Sequence, residues 1–242
     1  MTLNKTNVFK TALGILVASA LIVAIVIIAT LQSAKADGAP RWTGVYAGAS
    51  LGYAATTNKA DATVAGLGNL LTVDGFGSNG GSAGVIVGGD IQVDRFVIGA
   101  FADWTKHDQA WSASSDLLPG TLASLKIQES WTLGGRAGIT IGSGLVYGLL
   151  GYTQMKASDI DVPAAAVSFA VPEFKGLTVG GGVELAIAGG LFAGLEYRHT
   201  EFDRQSINLI PGVADLGLQP TVDEVRARLT YKFGFEAPSS LK

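Results

Sequence analysis

The last regular segment of the chain, Val222 to Phe233, alternates between apolar and polar positions. One face carries Val225, Ala227, Leu229, Tyr231 and Phe233, and the other carries Glu224, Arg226, Arg228, Thr230 and Lys232. Successive side chains of a β-strand point to opposite sides, so the pattern predicts a strand with one apolar wall and one charged wall. A soluble sandwich would bury the apolar wall, whereas a membrane barrel would turn it toward lipid.

Seven more segments with period-two alternation precede it, and no long helical stripe competes with them. The eight predicted strands are Thr43–Ala55, Ala83–Val93, Phe96–Trp104, Ile127–Thr140, Leu145–Thr153, Leu177–Ala186, Leu191–Thr200 and Val222–Phe233. A tilted transmembrane strand needs about 9–11 residues, which these segments reach. The fifth segment is apolar on both faces, so its pattern alone does not fix which face points outward.

The connections between the predicted strands alternate strictly between short and long. Tight turns join strands two to three, four to five and six to seven, and the long connections are Thr56–Ser82, Thr105–Lys126, Gln154–Gly176 and Glu201–Thr221. All long loops therefore leave from one rim. This arrangement is typical of outer-membrane barrels, which have short periplasmic turns and longer outer loops. We therefore predict an all-β fold, an eight-stranded antiparallel up-and-down transmembrane barrel, with both termini on the periplasmic side.

Aromatic residues fall near both ends of the predicted apolar wall. Phe96, Tyr147, Tyr231 and Phe233 are assigned to a girdle next to the short turns, and Tyr53, Trp104, Trp131 and Tyr197 to a girdle near the long loops. Aromatic belts are expected at the two membrane interfaces of such barrels. A soluble barrel has no reason to place two rings of Trp and Tyr on its outside.

Charged residues concentrate on the opposite, inward face of the predicted strands. They are Asp90, Asp103, Arg136, Glu184, Glu196, Arg198, Glu224, Arg226, Arg228 and Lys232, five acids and five bases. On the apolar face the charged strand residues are Glu129 and Asp223, both near the long-loop rim. We predict that the ten form an ion-pair network in the lumen, with Glu196 and Arg198 of strand seven beside Arg226 and Arg228 of strand eight.

The first residues form a targeting segment. Lys5 and Lys10 precede an apolar run from Ala12 to Leu31, and a small-residue cleavage pattern ends at Ala36. We expect a signal peptide over residues 1–36 cut after Ala36, a short periplasmic segment over 37–42, the barrel over 43–233 and a tail over 234–242. The apolar run is long enough to cross a bilayer as a helix, so an uncleaved anchor is the alternative.

Composition removes several function classes. Cleavage would remove three of the 17 Lys and Arg residues and none of the 20 Asp and Glu residues, leaving 14 against 20 and a net charge of −6. This charge argues against nucleic-acid binding, which needs a basic face. The chain has no cysteine, and we expect no metal and no cofactor. A catalytic site would need one of its two histidines, His107 and His199, and both are expected to be ordinary solvated residues.

Four segments resemble the small outer-membrane barrels of the alphaproteobacterial surface-porin family. They are Trp42–Tyr53 (WTGVYAGASLGY), Thr178–Glu184 (TVGGGVE), Leu195–Phe202 (LEYRHTEF) and Val225–Phe233 (VRARLTYKF). The resemblance implies a barrel of the outer-membrane protein A transmembrane type without a catalytic site, with members described as porin-like or as structural surface antigens. Such barrels usually end on a terminal aromatic residue, but here nine residues follow Phe233, so the position of the assembly signal is an open point.

These patterns favour a structural, porin-like surface barrel whose lumen is largely filled by charged side chains. Eight strands enclose just enough space for side chains to fill. The main alternative is a small gated pore, since many inward positions are glycine, and an outer-membrane enzyme or a surface adhesin is less favoured. The expected partners are outer-membrane lipid, the outer-membrane assembly machinery through the last strand, and host or surface molecules through the loops.

Overall fold

Described residues of the computed structural model are 42–64, 68–115, 118–158, 160–162, 167–169, 173–210 and 214–233. The expected signal peptide over 1–36, its cleavage site at Ala36, the segment before Trp42 and the tail over 234–242 lie outside these residues. In the described part of the chain, no helix is long and apolar enough to cross a membrane.

Eleven β-strands account for almost all of the described residues. They are β1 (Gly44–Val64), β2 (Gly68–Val93), β3 (Phe96–Ser115), β4 (Leu118–Ile141), β5 (Gly144–Ala157), β6 (Ile160–Val162), β7 (Val167–Phe169), β8 (Phe174–Ala188), β9 (Leu191–Phe202), β10 (Gln205–Ile210) and β11 (Ala214–Phe233). Eight of them build the barrel in the order β3-β2-β1-β11-β9-β8-β5-β4, and pairing of β3 with β4 closes it. The short strand β6 pairs with β4, β7 pairs with β6, and β10 pairs with β11.

Every pairing around the barrel is antiparallel, and the two ends of the barrel sequence meet. β1 pairs with β11 from Val45 opposite Phe233 to Val64 opposite Ala214. Three tight turns lie at the rim next to Phe233, and they use left-handed backbone conformations at Asp94, Gly142, Gly189 and Gly190. We call this end the short-turn rim. The prediction of a closed, eight-stranded antiparallel barrel is confirmed.

The barrel wall has an apolar outside and a polar inside. Leu51, Leu133 and Ile98 on the outer face are 70%, 69% and 64% exposed, whereas the charged side chains of the inner face are buried. Such a wall would be unstable in water, because burial of apolar surface from water is the main favourable term in folding. In a bilayer the same residues contact hydrocarbon, so the structure favours the membrane barrel over the soluble sandwich.

Strands extend much further from the short-turn rim than the sequence pattern predicts. Most residues predicted to form the long loops belong to extended hairpins: β1 continues to Val64 and β2 starts at Gly68, while β3 reaches Ser115 and β4 starts at Leu118. The pairing of these extensions contains register shifts, for example between Asn58 and Lys59 and between Lys106 and Gln109. On β3 the inward positions continue through Thr105, His107 and Gln109, but the outward residues Lys106 and Asp108 are charged rather than apolar, so the contrast that marks the strand in the sequence ends at Trp104.

Tyr147 was assigned to the outer girdle, and that assignment is wrong. Its side chain is 4% exposed and points into the lumen, whereas Tyr152 on the outer face of the same strand is 49% exposed. Apolar residues occupy both faces of β5, so the pattern could not fix its phase. Glycines on the neighbouring strands make room for the ring: a Cβ at Gly182 would lie 2.7 Å from the Tyr147 hydroxyl, and one at Gly138 would lie 2.7 Å from its Cβ.

Replacing Gly182 with Ala should therefore destabilise the barrel, since the new Cβ would also lie 2.6 Å from the Leu195 carbonyl oxygen. Overpacking of this kind costs about 1–3 kcal/mol. The temperature at which the folded gel band converts to the unfolded band should fall for Gly182→Ala. The control is Gly148→Ala, where the nearest atom would lie 3.8 Å away; an equal fall for both variants would contradict the inward placement of Tyr147.

Candidate functional site

The ten charged residues predicted to line the lumen all lie inside the barrel. Each is between 2% and 5% exposed: Asp90, Asp103, Arg136, Glu184, Glu196, Arg198, Glu224, Arg226, Arg228 and Lys232. They occupy inward-facing positions on β2, β3, β4, β8, β9 and β11, so they meet in the lumen. We call these ten residues the charge network. Buried charges are costly unless they are paired and hydrogen-bonded, so the contacts of each group decide whether the lumen is stable.

The part of the charge network nearer the short-turn rim is built around Arg136. Its Nε and Nη2 donate to the two carboxylate oxygens of Asp90 at 2.9 and 2.6 Å, and its Nη1 donates to Glu184 Oε2 at 2.8 Å. Lys232 Nζ donates to Asp90 Oδ2 at 2.6 Å, and the Thr230 hydroxyl donates to Glu184 at 3.0 Å. Arg136 thus bridges two acids from different strands, and the bidentate contact fixes its orientation.

The part nearer the opposite rim is built around Glu196. Arg198 Nε donates to Glu196 Oε1 at 2.7 Å, and Arg228 Nη1 donates to its Oε2 at 2.5 Å. Arg198 Nη1 also donates to Asp103 Oδ2 at 2.7 Å across the lumen. Arg226 donates to Glu224 and lies 3.6 Å from Asp103. The predicted juxtaposition of Glu196 and Arg198 with Arg226 and Arg228 is present in the structure.

Tyr147 joins the two parts, a role that the sequence pattern did not indicate. Its hydroxyl donates to Glu196 Oε2 at 2.7 Å and accepts from Arg228 Nη1 at 2.8 Å. The guanidinium of Arg136 lies 5.1 Å from the centre of the same ring and 4.7 Å from that of Tyr46. Aromatic rings and charged groups therefore alternate across the lumen, and cation–π contacts add to the ion pairs.

Trp42 closes the lumen at the short-turn rim, although the sequence placed it in a segment outside the barrel. It is 0% exposed, and its ring centre lies 4.8 Å from that of Phe192. Lys232 Nζ donates to the Trp42 carbonyl at 3.0 Å and lies 4.8 Å from its ring. Gly44 has a φ of 148°, which L side chains rarely adopt. Trp42 lies two residues before Gly44 and four before Tyr46, so it falls on the inward face of the first strand. Extending the alternating pattern of that strand by two residues would have predicted its position.

A row of hydroxyl groups lies inside the barrel beyond the charge network. Thr132, Thr153, Thr178 and Thr200 are linked through their Oγ1 atoms at 2.9, 2.6 and 2.8 Å across four neighbouring strands. Three hydrogen bonds join these four hydroxyls, so the row pairs buried polar groups that would otherwise be unsatisfied. The contacts also oppose slippage of one strand past the next.

His107 was expected to be a solvated loop residue, and that expectation is wrong. Because β2 and β3 pair as far as Gly81 opposite Asp108, His107 stays in the strand and faces inward. It is 7% exposed, and its Nε2 lies 2.9 Å from Ser130 Oγ. Its Nδ1 has no hydrogen-bond partner among the described residues.

His199 lies on the outer face, as its strand phase predicted. Its Nδ1 is 2.8 Å from Asp223 Oδ1, which also accepts a hydrogen bond of 2.6 Å from the Tyr197 hydroxyl. A hydrolytic relay needs a nucleophile, a base and a third group that orients the base. His107 has a hydroxyl beside it but no orienting group on Nδ1, and His199 has a carboxylate but points out of the barrel.

Seven of the eight residues assigned to the aromatic girdles lie on the outer face. Phe96, Tyr231 and Phe233 are near the short-turn rim, and Tyr53, Trp104, Trp131 and Tyr197 are further along the wall. Trp104 and Trp131 sit side by side with ring centres 6.4 Å apart, and Trp104 Nε1 donates to Glu129. Within the described residues, no group of three or more His, Cys, Asp and Glu side chains could hold a metal ion.

Comparison with known proteins identifies the architecture. The profile of the outer membrane protein beta-barrel domain family matches residues 20–233. The outer membrane protein OprG from Pseudomonas aeruginosa has a TM-score of 0.52 and 16% identity, over 80% of this chain and 98% of its own. No curated protein matches the chain.

Two further solved structures have lower TM-scores. Neisserial surface protein A has a TM-score of 0.40 and 17% identity, over 76% of this chain and 97% of its own. The outer membrane protease OmpT from Escherichia coli has a TM-score of 0.48 and 8% identity, over 84% of this chain and 100% of its own. Both TM-scores are below 0.5, so the similarity in fold rests on OprG.

Replacing Arg136 with Met should destabilise the barrel strongly, because it leaves the carboxylates of Asp90 and Glu184 buried without their shared partner. Loss of one member of a buried ion pair costs about 3–5 kcal/mol. Urea unfolding in lipid vesicles measures this free energy. The control is Lys156→Met: Lys156 is 50% exposed and pairs with Glu129 and Glu173 on the outside, and an exposed pair contributes about 0–1 kcal/mol. Equal losses for both variants would contradict a buried network.

Proposed function

The chain belongs to the family of outer membrane protein β-barrel domains, and on this basis we propose that it is a structural surface barrel closed by its own side chains. Its location is the outer membrane, where the apolar outer wall contacts lipid. The wall anchors the protein, and the extended hairpins beyond the membrane present a surface. We further propose that it belongs to the narrower surface-porin family of alphaproteobacteria, which the four resembling segments favour.

The observation that carries this proposal is the filling of the lumen by three successive layers. Trp42 and Phe192 close the short-turn rim, the charge network fills the middle, and the threonine row lies beyond it. An eight-stranded barrel has an interior just wide enough for side chains to fill. Because each charged group of the middle layer has an oppositely charged partner, removal of any one to open a passage would carry a large energetic cost.

A small gated pore is the second candidate, and one observation favours it. A cavity of about 20 Å³ lies between His107, Arg198 and Arg226, which is the space of about one water molecule. Buried nitrogens of all three residues lack a hydrogen-bond partner among the described residues: His107 Nδ1, Arg198 Nη2 and Arg226 Nε. A chain of water molecules that started in this cavity would have to displace the contacts of Tyr147 and Trp42 to reach the periplasm.

We propose a non-enzymatic role. The arrangement around His107 and Ser130 provides two of the three groups that a serine relay uses, and the third, a carboxylate on Nδ1, is absent from the described residues. The assembly machinery would read the last strand, whose Phe233 is 53% exposed on the outer face. The hairpins beyond the membrane would meet host or surface molecules, as the sequence suggested.

Wild-type protein should give no long-lived open steps of nanosiemens size in planar lipid bilayers, because its lumen is closed. Replacement of both Trp42 and Tyr147 with Ala should produce conductance. Trp42 closes the lumen at the short-turn rim, and Tyr147 joins the two parts of the charge network. The matched control is Tyr152→Ala, which removes an outward aromatic side chain from the same strand and should stay silent. Long-lived open steps of the wild-type protein would contradict the closed lumen and favour the small gated pore.

A further inference from the structure

An open cleft of about 900 Å³ lies in the wall between β2, β3 and β4. It begins where the pairing of β2 with β3 ends, at Gly81 opposite Asp108. Further out, in the part of the chain that the structure describes, the pairing partner of β2 is β1 and that of β3 is β4. The cleft therefore separates the base of the first extended hairpin from the base of the second. Its volume lies within the range of binding sites for small molecules.

The cleft opens on the outer face of the barrel at the level of an aromatic girdle. Its lining residues are Gly81, Ser82, Ala83, Trp104, Lys106, His107, Asp108, Gln128 and Glu129. Trp104 packs beside Trp131 on the outer face, and Trp residues mark the interface between hydrocarbon and headgroups. A molecule in the cleft would thus sit at headgroup depth with apolar wall directly below it. Only an amphiphile satisfies both environments at once.

Charges in the cleft indicate which headgroup fits. Glu129 is already engaged, because it accepts from Trp104 Nε1 at 3.1 Å and pairs with Lys156 at 3.4 Å. Lys106 and Asp108 are exposed on the same outward face, two residues apart, and neither makes an ion pair within the described part of the chain. The cleft therefore presents one positive and one negative group. An anionic headgroup would meet Lys106 but would be repelled by Asp108.

The cleft and the small cavity inside the lumen share one lining residue. His107 lines both the cleft and the small cavity inside the lumen. It is more than nine-tenths buried, and its Nδ1 has no hydrogen-bond partner among the described residues.

We propose that the cleft binds the headgroup of an amphiphile with a zwitterionic head, its phosphate toward Lys106 and its cationic group toward Asp108. The alkyl chain would lie along the apolar outer wall below Trp104. This site is separate from the charge network and does not depend on whether the lumen conducts.

Gly81 allows the cleft to be filled without disturbing the barrel. A Cβ at this position would meet no heavy atom within 4 Å, and the backbone there is not in a left-handed conformation. Gly81→Leu should therefore occupy the cleft and leave the heat-modifiable gel shift unchanged. The matched control is Gly148→Leu, which adds the same side chain to the outer wall elsewhere, where the nearest atom would lie 3.8 Å from the Cβ.

Native mass spectrometry of the protein in a non-ionic detergent, with added lysophosphatidylcholine, tests the site. Wild type and Gly148→Leu should retain one molecule, whereas Gly81→Leu and the double variant Lys106→Gln/Asp108→Asn should bind at least tenfold more weakly. A second control, Lys175→Gln, removes an exposed lysine from β8 and should bind like wild type. An anionic lysophosphatidylglycerol should bind more weakly than the zwitterionic probe.

Equal retention by wild type and Gly81→Leu would overturn the proposal, because it would place the bound lipid elsewhere on the wall. Preference for the anionic probe that survives in Lys106→Gln/Asp108→Asn would also overturn it. Retention lost in Gly81→Leu but unchanged in the double charge variant would refute the zwitterionic headgroup.

Discussion

Backbone N–H and C=O groups cannot stay unpaired in hydrocarbon, and this constraint forces the sheet to close on itself. In the closed ring, β1 pairs with β11, the first strand with the last, and Val45 lies opposite Phe233, almost two hundred positions later in the chain. Once that ladder forms, every barrel strand has two neighbours and no edge faces lipid. Each side chain of a barrel strand then points either to the lipid or to the lumen. The closed sheet places all inward side chains in one narrow space.

That narrow space explains why the inward face is so specific. Charged side chains from six strands enter it, and each must find an opposite charge because water cannot solvate it. Glycines such as Gly182 leave room for the ring of Tyr147, whose hydroxyl then joins the contacts of Glu196 and Arg228. The same crowding that holds these contacts together leaves little free passage. Stability of the barrel and closure of the lumen thus have a common physical origin.

Much of this architecture could be predicted from the sequence, because charge and apolar character separate cleanly wherever a strand crosses the membrane. Arg226 and its inward neighbours show this for β11. Prediction failed where that contrast was missing: β5 is apolar on both faces, so Tyr147 was assigned to the wrong side. It failed again beyond Trp104 of β3, where the outward residues Lys106 and Asp108 are charged, so the strand that carries His107 was taken for a loop. Trp42 was missed because it precedes the first predicted strand, although its position two residues before Gly44 gives it the inward parity of that strand.

Residue-by-residue accessibility measures most directly whether the wall faces lipid and the lumen is packed. The chain has no cysteine, so a nitroxide can be attached to single variants Ala49→Cys, Ser50→Cys and Leu51→Cys on β1, reconstituted in lipid vesicles. The labels at 49 and 51 should be accessible to oxygen dissolved in the lipid, and the label at 50 should be accessible neither to oxygen nor to a water-soluble nickel complex. Ready access of the nickel complex to the label at 50 would contradict a packed lumen, and equal oxygen access at all three positions would contradict a lipid-facing wall.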